Sequence, residues 1–99
     1  MADETEFSYP RPNLIASRRG FSVDVGARNT IRYEEAGRAM EIFAEWLAGP
    51  DPKMAVRRRD VRAWEGHHEA DLAEADRLRI VANIQRAFAF KEWVLVIED

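Results

Sequence analysis

The chain has 99 residues, a length that suits one compact domain and excludes two. Hydrophobic residues make up 46% of it and charged residues 33%, which excludes collagen-like, low-complexity and wholly disordered chains. The absence of cysteine excludes disulfides, thiolate metal sites and a cysteine nucleophile, and the formal net charge of −3 gives no global attraction to nucleic acid or anionic lipid.

The start of the chain is acidic and lacks the apolar segment of a secretion signal. No apolar run approaches the roughly 20 residues that a membrane-spanning helix needs, so we expect a cytoplasmic protein. Within residues 1–13 only Phe7 and Tyr9 offer much that could pack. We expect these residues to form a flexible N-terminal arm that docks through the two aromatics, followed by a single α+β domain over residues 14–99.

Two segments alternate apolar and polar residues, which is the pattern of half-buried strands. Residues 18–25 place Phe21 and Val23 on one face, and residues 30–34 alternate again. The intervening residues 26–29 include Gly and Asn, which tolerate a positive φ. The two segments are therefore predicted to form a β-hairpin.

Residues 34–47 fit two periodicities. At 3.6 residues per turn, charged side chains fall on one stripe and apolar side chains on the opposite stripe, which is typical of an amphipathic helix. At a period of two, the segment is a strand that follows a tight turn over residues 35–38, with Gly37 in the strained position. The two faces of that strand would carry Met40, Ile42, Ala44 and Trp46 on one side and Glu41, Phe43, Glu45 and Leu47 on the other. Periodicity alone favours the helix, and the residues leave both interpretations open.

A firm break follows at residues 48–52, because two prolines and a glycine can continue neither a helix nor a ladder. Residues 54–58 are predicted to form a short strand near a sheet edge, since arginines end it. A helical turn is predicted over residues 60–64 and a polar loop over residues 65–70.

The C-terminal part of the chain is predicted to contain one helix and one strand. The helix extends over about residues 72–90 and begins with a capping-box pattern, Asp71 followed three residues later by Glu74. Residues 93–97 form a near-continuous apolar run and are predicted to be a buried strand. The predicted core consists of Phe21, Val23, Ile31, Val56, Ile80, Val81, Ile84, Phe88, Val94 and Val96.

Two histidines provide the only group that resembles a metal site. His67 and His68 are adjacent, with Glu69 and Asp71 nearby. Adjacent histidines cannot easily point at one ion, and no second cluster completes a ligand set, so we predict a solvated loop and no metal. The sequence has neither a glycine-rich phosphate loop nor a nucleophile-elbow pattern. We therefore predict no enzyme and no cofactor.

A group of arginines precedes Trp64 and superficially resembles a backbone grip with a stacking aromatic. This basic cluster consists of Arg57, Arg58, Arg59 and Arg62. The acidic stretch that follows, residues 65–76, would oppose a phosphate backbone, and Trp64 is interpreted as a core or loop anchor. A surface with both signs suits a protein partner better, so a nucleic-acid-binding domain that uses residues 57–62 is the weaker alternative.

Several short motifs follow one another from about residue 19 to the end of the chain. They are residues 31–38 (IRYEEAGR), residues 45–47 (EWL), Val56 with Arg57, Val61, Trp64, Asp76 with Arg77, and residues 80–88 (IVANIQRAF) before a closing strand. In this order they resemble the Immunity protein 74 family of bacterial polymorphic toxin systems. The resemblance implies a strand over residues 38–47, and we predict one. The predicted fold is α+β, a mostly antiparallel sheet of four to five strands with one long C-terminal helix packed on one face.

The resemblance also implies a function, that of a small non-catalytic protein that binds and silences a cognate toxin made in the same cell. Many such toxins are nucleases with basic clefts, so the acidic stretch is predicted to carry the inhibitory face. The predicted partner-binding residues are Trp64, Glu65, His67, His68, Glu69 and Asp71. The alternative is a bacterial or phage protein-interaction module without a toxin partner. Neither interpretation involves a membrane or a small-molecule substrate.

Overall fold

The computed structural model describes residues 6–26, 29–50, 52–66 and 72–98. Seven strands, one short 3₁₀-helix and one α-helix occur in this part of the chain. The strands are β1 (Phe7–Arg11), β2 (Leu14–Ser17), β3 (Phe21–Asp24), β4 (Thr30–Glu35), β5 (Arg38–Trp46), β6 (Lys53–Arg57) and β7 (Val94–Glu98). The 3₁₀-helix is Arg58–Asp60, and the α-helix, α1, is Glu74–Phe90.

The strands form one sheet whose spatial order follows the sequence, from β1 at one edge to β7 at the other. Each neighbouring pair from β1 to β6 is antiparallel, whereas β7 is parallel to β6. The parallel pair arises because α1 lies between β6 and β7 and returns the chain to the starting end of the sheet. The predicted α+β class, mostly antiparallel sheet and C-terminal helix are confirmed. The predicted strand number is wrong, because the described residues form seven strands rather than four to five.

The two strands that the sequence analysis missed are β1 and β2. β1 contains Pro10, which cannot donate to a ladder and is tolerated here because β1 lies at the edge of the sheet. β1 belongs to the segment expected to be an arm, and its two aromatics contact the rest of the domain. The Phe7 ring centroid lies 6.0 Å from that of Phe21, and the Tyr9 centroid lies 6.5 Å from that of Trp93. In the structure residues 7–11 are thus paired into the sheet.

The ambiguous segment forms strand β5, so the strand prediction is confirmed. A two-residue turn joins β4 to β5, and both of its residues have a positive φ, 52° at Ala36 and 78° at Gly37. This conformation matches the right-handed twist of a hairpin. Met40, Ile42 and Ala44 of β5 are buried, which is the period-two pattern. Burial of this face against the core outweighs the helical pattern of the isolated segment.

α1 packs against one face of the sheet, which we call the inner face. The core between them is formed by Ile15, Phe21, Val23, Ile31, Tyr33, Met40, Ile42, Met54 and Val56 from the sheet and by Ile80, Val81, Ile84, Ala87 and Phe88 from α1. The predicted core is confirmed except for Val94 and Val96. On β7, Leu95 and Ile97 align with the buried residues of β6 and pack against the core. Strand alternation therefore turns Val94 and Val96 to the opposite face.

The short strand predicted over residues 54–58 is β6, which lies next to the edge strand β7, with Glu98 in register with Arg57. Two other local predictions in the second half of the chain are wrong. The helical turn lies at Arg58–Asp60, directly after β6, rather than over residues 60–64. The N-cap of α1 is Ala73, with no side-chain cap hydrogen bond, so no capping box begins this helix. Asp71 lies outside the described residues.

Ion pairs join α1 to the sheet at two points. Arg79 donates to both carboxylate oxygens of Glu35 on β4, at 3.1 and 2.7 Å. Arg86 Nη1 lies 2.7 and 2.8 Å from the two carboxylate oxygens of the buried Glu6, which directly precedes β1. Burial acts to raise the pKa of Glu6, but hydrogen bonds from Arg86 and Ser17 outweigh it and hold the pKa below its usual value. The helix therefore fixes the first strand as well as the centre of the sheet.

Candidate binding surface

The sheet has a second face, which we call the outer face, turned away from α1. Along β4 and β5 the inner side chains are buried, and the side chains between them are exposed or half-buried. The outer side chains of these two strands are Thr30, Arg32, Glu34, Ala39, Glu41, Phe43 and Glu45. Within the described part of the chain no helix covers this face, and Glu34, Glu41, Phe43 and Glu45 on it are exposed.

One arginine on the outer face is surrounded by three carboxylates, and we call this group the Arg32 cluster. Arg32 donates to both oxygens of Glu65, at 2.9 and 3.3 Å, and its guanidinium lies 3.4 Å from Glu34 and 3.6 Å from Glu41. The hydrogen bonds to Glu65 contribute most to raising the pKa of Arg32 above its usual value. With three negative charges and one positive charge, the cluster has a net charge of −2. The exposed pairs contribute little to stability, so their main effect is on the surface potential.

Glu65 reaches this cluster because the segment before it lies beside β5. The amide of Glu65 donates a 2.7 Å hydrogen bond to the carbonyl of Ala39 on β5. The preceding side chain, Trp64, points the other way and is only 6% exposed. Its ring stacks at a tilt on Tyr33, with centroids 6.2 Å apart, and the Arg38 guanidinium lies 4.3 Å from its centroid. Trp64 is thus a core anchor that positions Glu65, and its ring is not available as a contact surface.

Phe43 lies further along β5 on the outer face, opposite Thr30 of β4. It is 54% exposed, the highest value among the large hydrophobic side chains of the described residues. Glu41 and Glu45 flank it two residues away on either side and share its face. The outer face of β4 and β5 therefore combines an exposed aromatic ring with several carboxylates, three of which share the single cation Arg32.

A cleft of about 350 Å³ lies between β5 and the segment that runs alongside it. It is lined by Met40, Glu41, Asp60, Arg62, Ala63 and Glu65. Three carboxylates and one arginine line it, so it continues the acidic character of the Arg32 cluster around the edge of β5.

The basic cluster is divided between two elements. Arg57 ends β6, Arg58 and Arg59 form the 3₁₀-helix, and Arg62 follows it. Arg57 is in register with Glu98 of β7, and Arg62 lines the cleft together with Glu41, Asp60 and Glu65. Arg57 and Arg62 therefore both lie next to acidic groups.

Most of the predicted partner-binding residues lie outside the described residues, namely His67, His68, Glu69 and Asp71. Among the residues that the structure does describe, no group of three His, Asp or Glu side chains could hold a metal ion. In the same part of the chain, no helix combines the length and the hydropathy required to cross a membrane.

Sequence reasoning named Glu65 as a candidate contact but missed Arg32, Glu41 and Phe43. The available signal was the period-two pattern of residues 41–47, which already places Glu41, Phe43 and Glu45 together. This pattern alone could not place the three side chains on one face, because the same segment also fitted a helix. The proximity of Glu65 to Arg32 depends on a contact across 33 residues that no local pattern reveals.

A comparison with protein families gives one match. The sequence model of Immunity protein 74 matches residues 22–98, which is most of the 99-residue chain. The chain belongs to the Immunity protein 74 family. The resemblance inferred from the sequence motifs is thereby confirmed. The matched region extends from β3 to β7 and includes the Arg32 cluster and Phe43. Strands β1 and β2 precede the matched region. No curated protein and no solved structure matched the chain.

Proposed function

We propose that this protein neutralises a cognate bacterial toxin by direct protein–protein contact in the cytoplasm of the cell that makes both, with no catalysis of its own. The family match over residues 22–98 carries this proposal, and the matched region includes the Arg32 cluster and Phe43 on the outer face. A small sheet braced by one helix is a rigid scaffold, and rigidity lowers the entropy cost of binding.

The charges of the outer face support a partner with a basic surface. The Arg32 cluster has a net charge of −2, and Glu45 on β5 adds a further carboxylate to the same face. The negative electrostatic potential of these carboxylates accelerates association with a cationic partner and disfavours binding of anionic partners. A nuclease toxin, whose cleft must attract phosphates, has the complementary potential.

The contact residues that we propose are Glu65 with its neighbours His67, His68, Glu69 and Asp71. Glu65 is anchored by Arg32 and by its backbone bond to β5, so it holds the beginning of this segment against the sheet. Trp64 supports it from the core side. The role of Trp64 in this proposal is to position Glu65 rather than to touch the toxin.

Growth protection provides the test. Because an immunity gene sits just downstream of its toxin gene, the partner to test is the C-terminal domain encoded immediately upstream. This domain is expressed from an inducible promoter, with and without this protein. We expect growth with the wild-type protein and arrest without it. The triple variant Glu65→Lys, Glu69→Lys, Asp71→Lys should protect poorly, whereas Glu92→Lys, at an exposed position between α1 and β7, serves as the control and should protect fully. Arrest despite soluble wild-type protein would contradict the proposal.

A further inference from the structure

Phe43 is exposed although nothing in the fold requires an aromatic ring at its position. It occupies an outer-face site of β5, opposite Thr30, where a polar residue would pair equally well in the sheet. A large apolar side chain that remains exposed to water on an uncovered sheet face is typical of a site that another protein covers. The ring therefore points to an interface at this face.

The surroundings of Phe43 restrict what can cover it. Glu41 and Glu45 lie on either side along β5, and the Arg32 cluster begins at Glu41. The β5–β6 register pairs Ala44 with Val56, the neighbours of Phe43 and Arg57, and Arg57 is in register with Glu98 of β7. Along β5 the ring thus lies between two carboxylates, and the next arginine in β6 is itself beside an acid.

We propose that Phe43 is the anchor of the toxin-binding surface, inserting into an apolar pocket that is rimmed by lysine or arginine side chains of the partner. This inference rests on the proposed function and identifies the surface through which the protein would bind the toxin. The carboxylates of Glu41 and Glu45 would meet the cationic rim and exclude water from the ring.

The same charges disfavour the other occupants of this face. A second copy of the chain would bring Glu41 and Glu45 against their own counterparts, and like charges at an interface are repulsive. A nucleic acid would place its phosphates on the same carboxylates. A cationic protein surface is the occupant that the outer face complements.

The chain offers a matched control for Phe43. Leu78 on α1 is 51% exposed, nearly the same as the 54% of Phe43, but it lies on the helix at the opposite side of the molecule. Glu45→Lys and Glu92→Lys form a second matched pair, because each changes the net charge by the same amount and only Glu45 lies on the outer face.

The experiment is isothermal titration of the full chain with the upstream-encoded C-terminal domain, separated from its complex by denaturation and refolded. We expect Phe43→Ala to raise Kd by about 30-fold or more, the effect of removing an interface anchor, and Leu78→Ala by less than about twofold. Glu45→Lys should weaken binding and reduce its salt dependence, while Glu92→Lys should not. Melting temperatures within about 3 °C of the wild type will show that the variants are folded.

The outcomes separate this inference from the proposed function. If the wild type binds and Phe43→Ala binds as tightly as Leu78→Ala, the anchor is wrong and toxin binding stands. If the refolded domain does not bind the wild type, both proposals fail. As a direct readout of contact, p-benzoylphenylalanine at position 43 should crosslink to the domain, and at position 78 it should not; the reverse pattern would also overturn the anchor.

Discussion

Asn83 on α1 donates a 2.9 Å hydrogen bond from its side-chain amide to the hydroxyl of Tyr33 on β4, in the interior of the domain. The two residues are 50 positions apart in the sequence. The Tyr33 hydroxyl in turn donates to Glu35 at 3.3 Å, and the Asn83 carbonyl accepts from Arg86 at 3.0 Å. A continuous polar path thus crosses an otherwise apolar core and fixes the position of the helix on the sheet.

Tyr33→Phe removes the centre of this path. The amide of Asn83 is then left buried without its acceptor, so we expect the free energy of unfolding to fall by about 1–3 kcal/mol. Tyr9→Phe is the control. The Tyr9 hydroxyl accepts a hydrogen bond from the backbone amide of Asn13 at an exposed position, so water can take its place in the variant. Urea unfolding of both variants measures the difference. An equal decrease in the free energy of unfolding for both would show that the buried hydrogen bond contributes no more than the exposed one.

Alkaline pH tests the burial of Tyr33 independently. Burial raises the pKa of Tyr33 to about 12, with Glu35 acting in the same direction and the hydrogen bond from Asn83 acting against it. Because the unfolded chain ionises near pH 10, the stabilisation is complete below pH 10 and is lost as the pH rises toward 12. We expect unfolding free energy to decline over this window. The decline should be smaller in Tyr33→Phe, and an identical decline would contradict the assignment.

Acidic pH tests the Glu6–Arg86 pair. The pKa of Glu6 lies below its usual value of 4.5, so its contribution to stability is present above pH 4.5 and is lost as the pH falls through the lower value in the folded state. Glu6→Gln cannot ionise and should be less stable at pH 7, with a flatter decline below pH 4.5. Hydrogen exchange should locate the loss in the β1–β2 pair, because the amide of Arg18, directly after β2, bonds to the Glu6 carbonyl, directly before β1. Loss confined to other strands would contradict this anchoring role.

The β4–β5 turn offers a stabilising substitution. Ala36 has a φ of 52°, which is unfavourable for a residue with a β-carbon, and it precedes Gly37. Asn tolerates this conformation better and Asn-Gly is the preferred pair in such hairpins, so we expect Ala36→Asn to raise the free energy of unfolding by about 0.5–1 kcal/mol. Gly37→Ala should have the opposite effect. Thermal unfolding measures both, and destabilisation by Ala36→Asn would show that the turn is not as described.

The sequence predicts the elements whose patterns are local and unopposed. The α1 stripe from Ile80 to Phe88 and the alternation of β3 and β4 have one reasonable interpretation each. β5 does not, because residues 34–47 satisfy both periods and only burial of Met40 and Ile42 decides between them. β1 could not be predicted because it contains Pro10. A strand tolerates proline at the edge of a sheet, and which strand lies at the edge depends on the whole sheet.

The candidate site was harder to predict than the fold, for a physical reason. A surface depends on which side chains a sheet brings together, and Arg32, Glu41 and Glu65 come from two strands and a loop. Composition showed the acidic stretch that contains Glu65 but not the arginine that holds it. Trp64 was interpreted from the sequence as a core or loop anchor and also named among the partner-binding residues; its burial places it in the core.

Toxin neutralisation by direct contact is tested by the mass of the complex formed with the upstream-encoded C-terminal domain. Equal amounts of the two purified proteins, at about ten times the Kd from titration, are analysed by size-exclusion chromatography with light scattering. Neutralisation by direct contact should give one peak with the summed mass of a 1:1 complex and loss of the domain's toxic activity in that peak. Separate elution of the two proteins with the activity intact would contradict it.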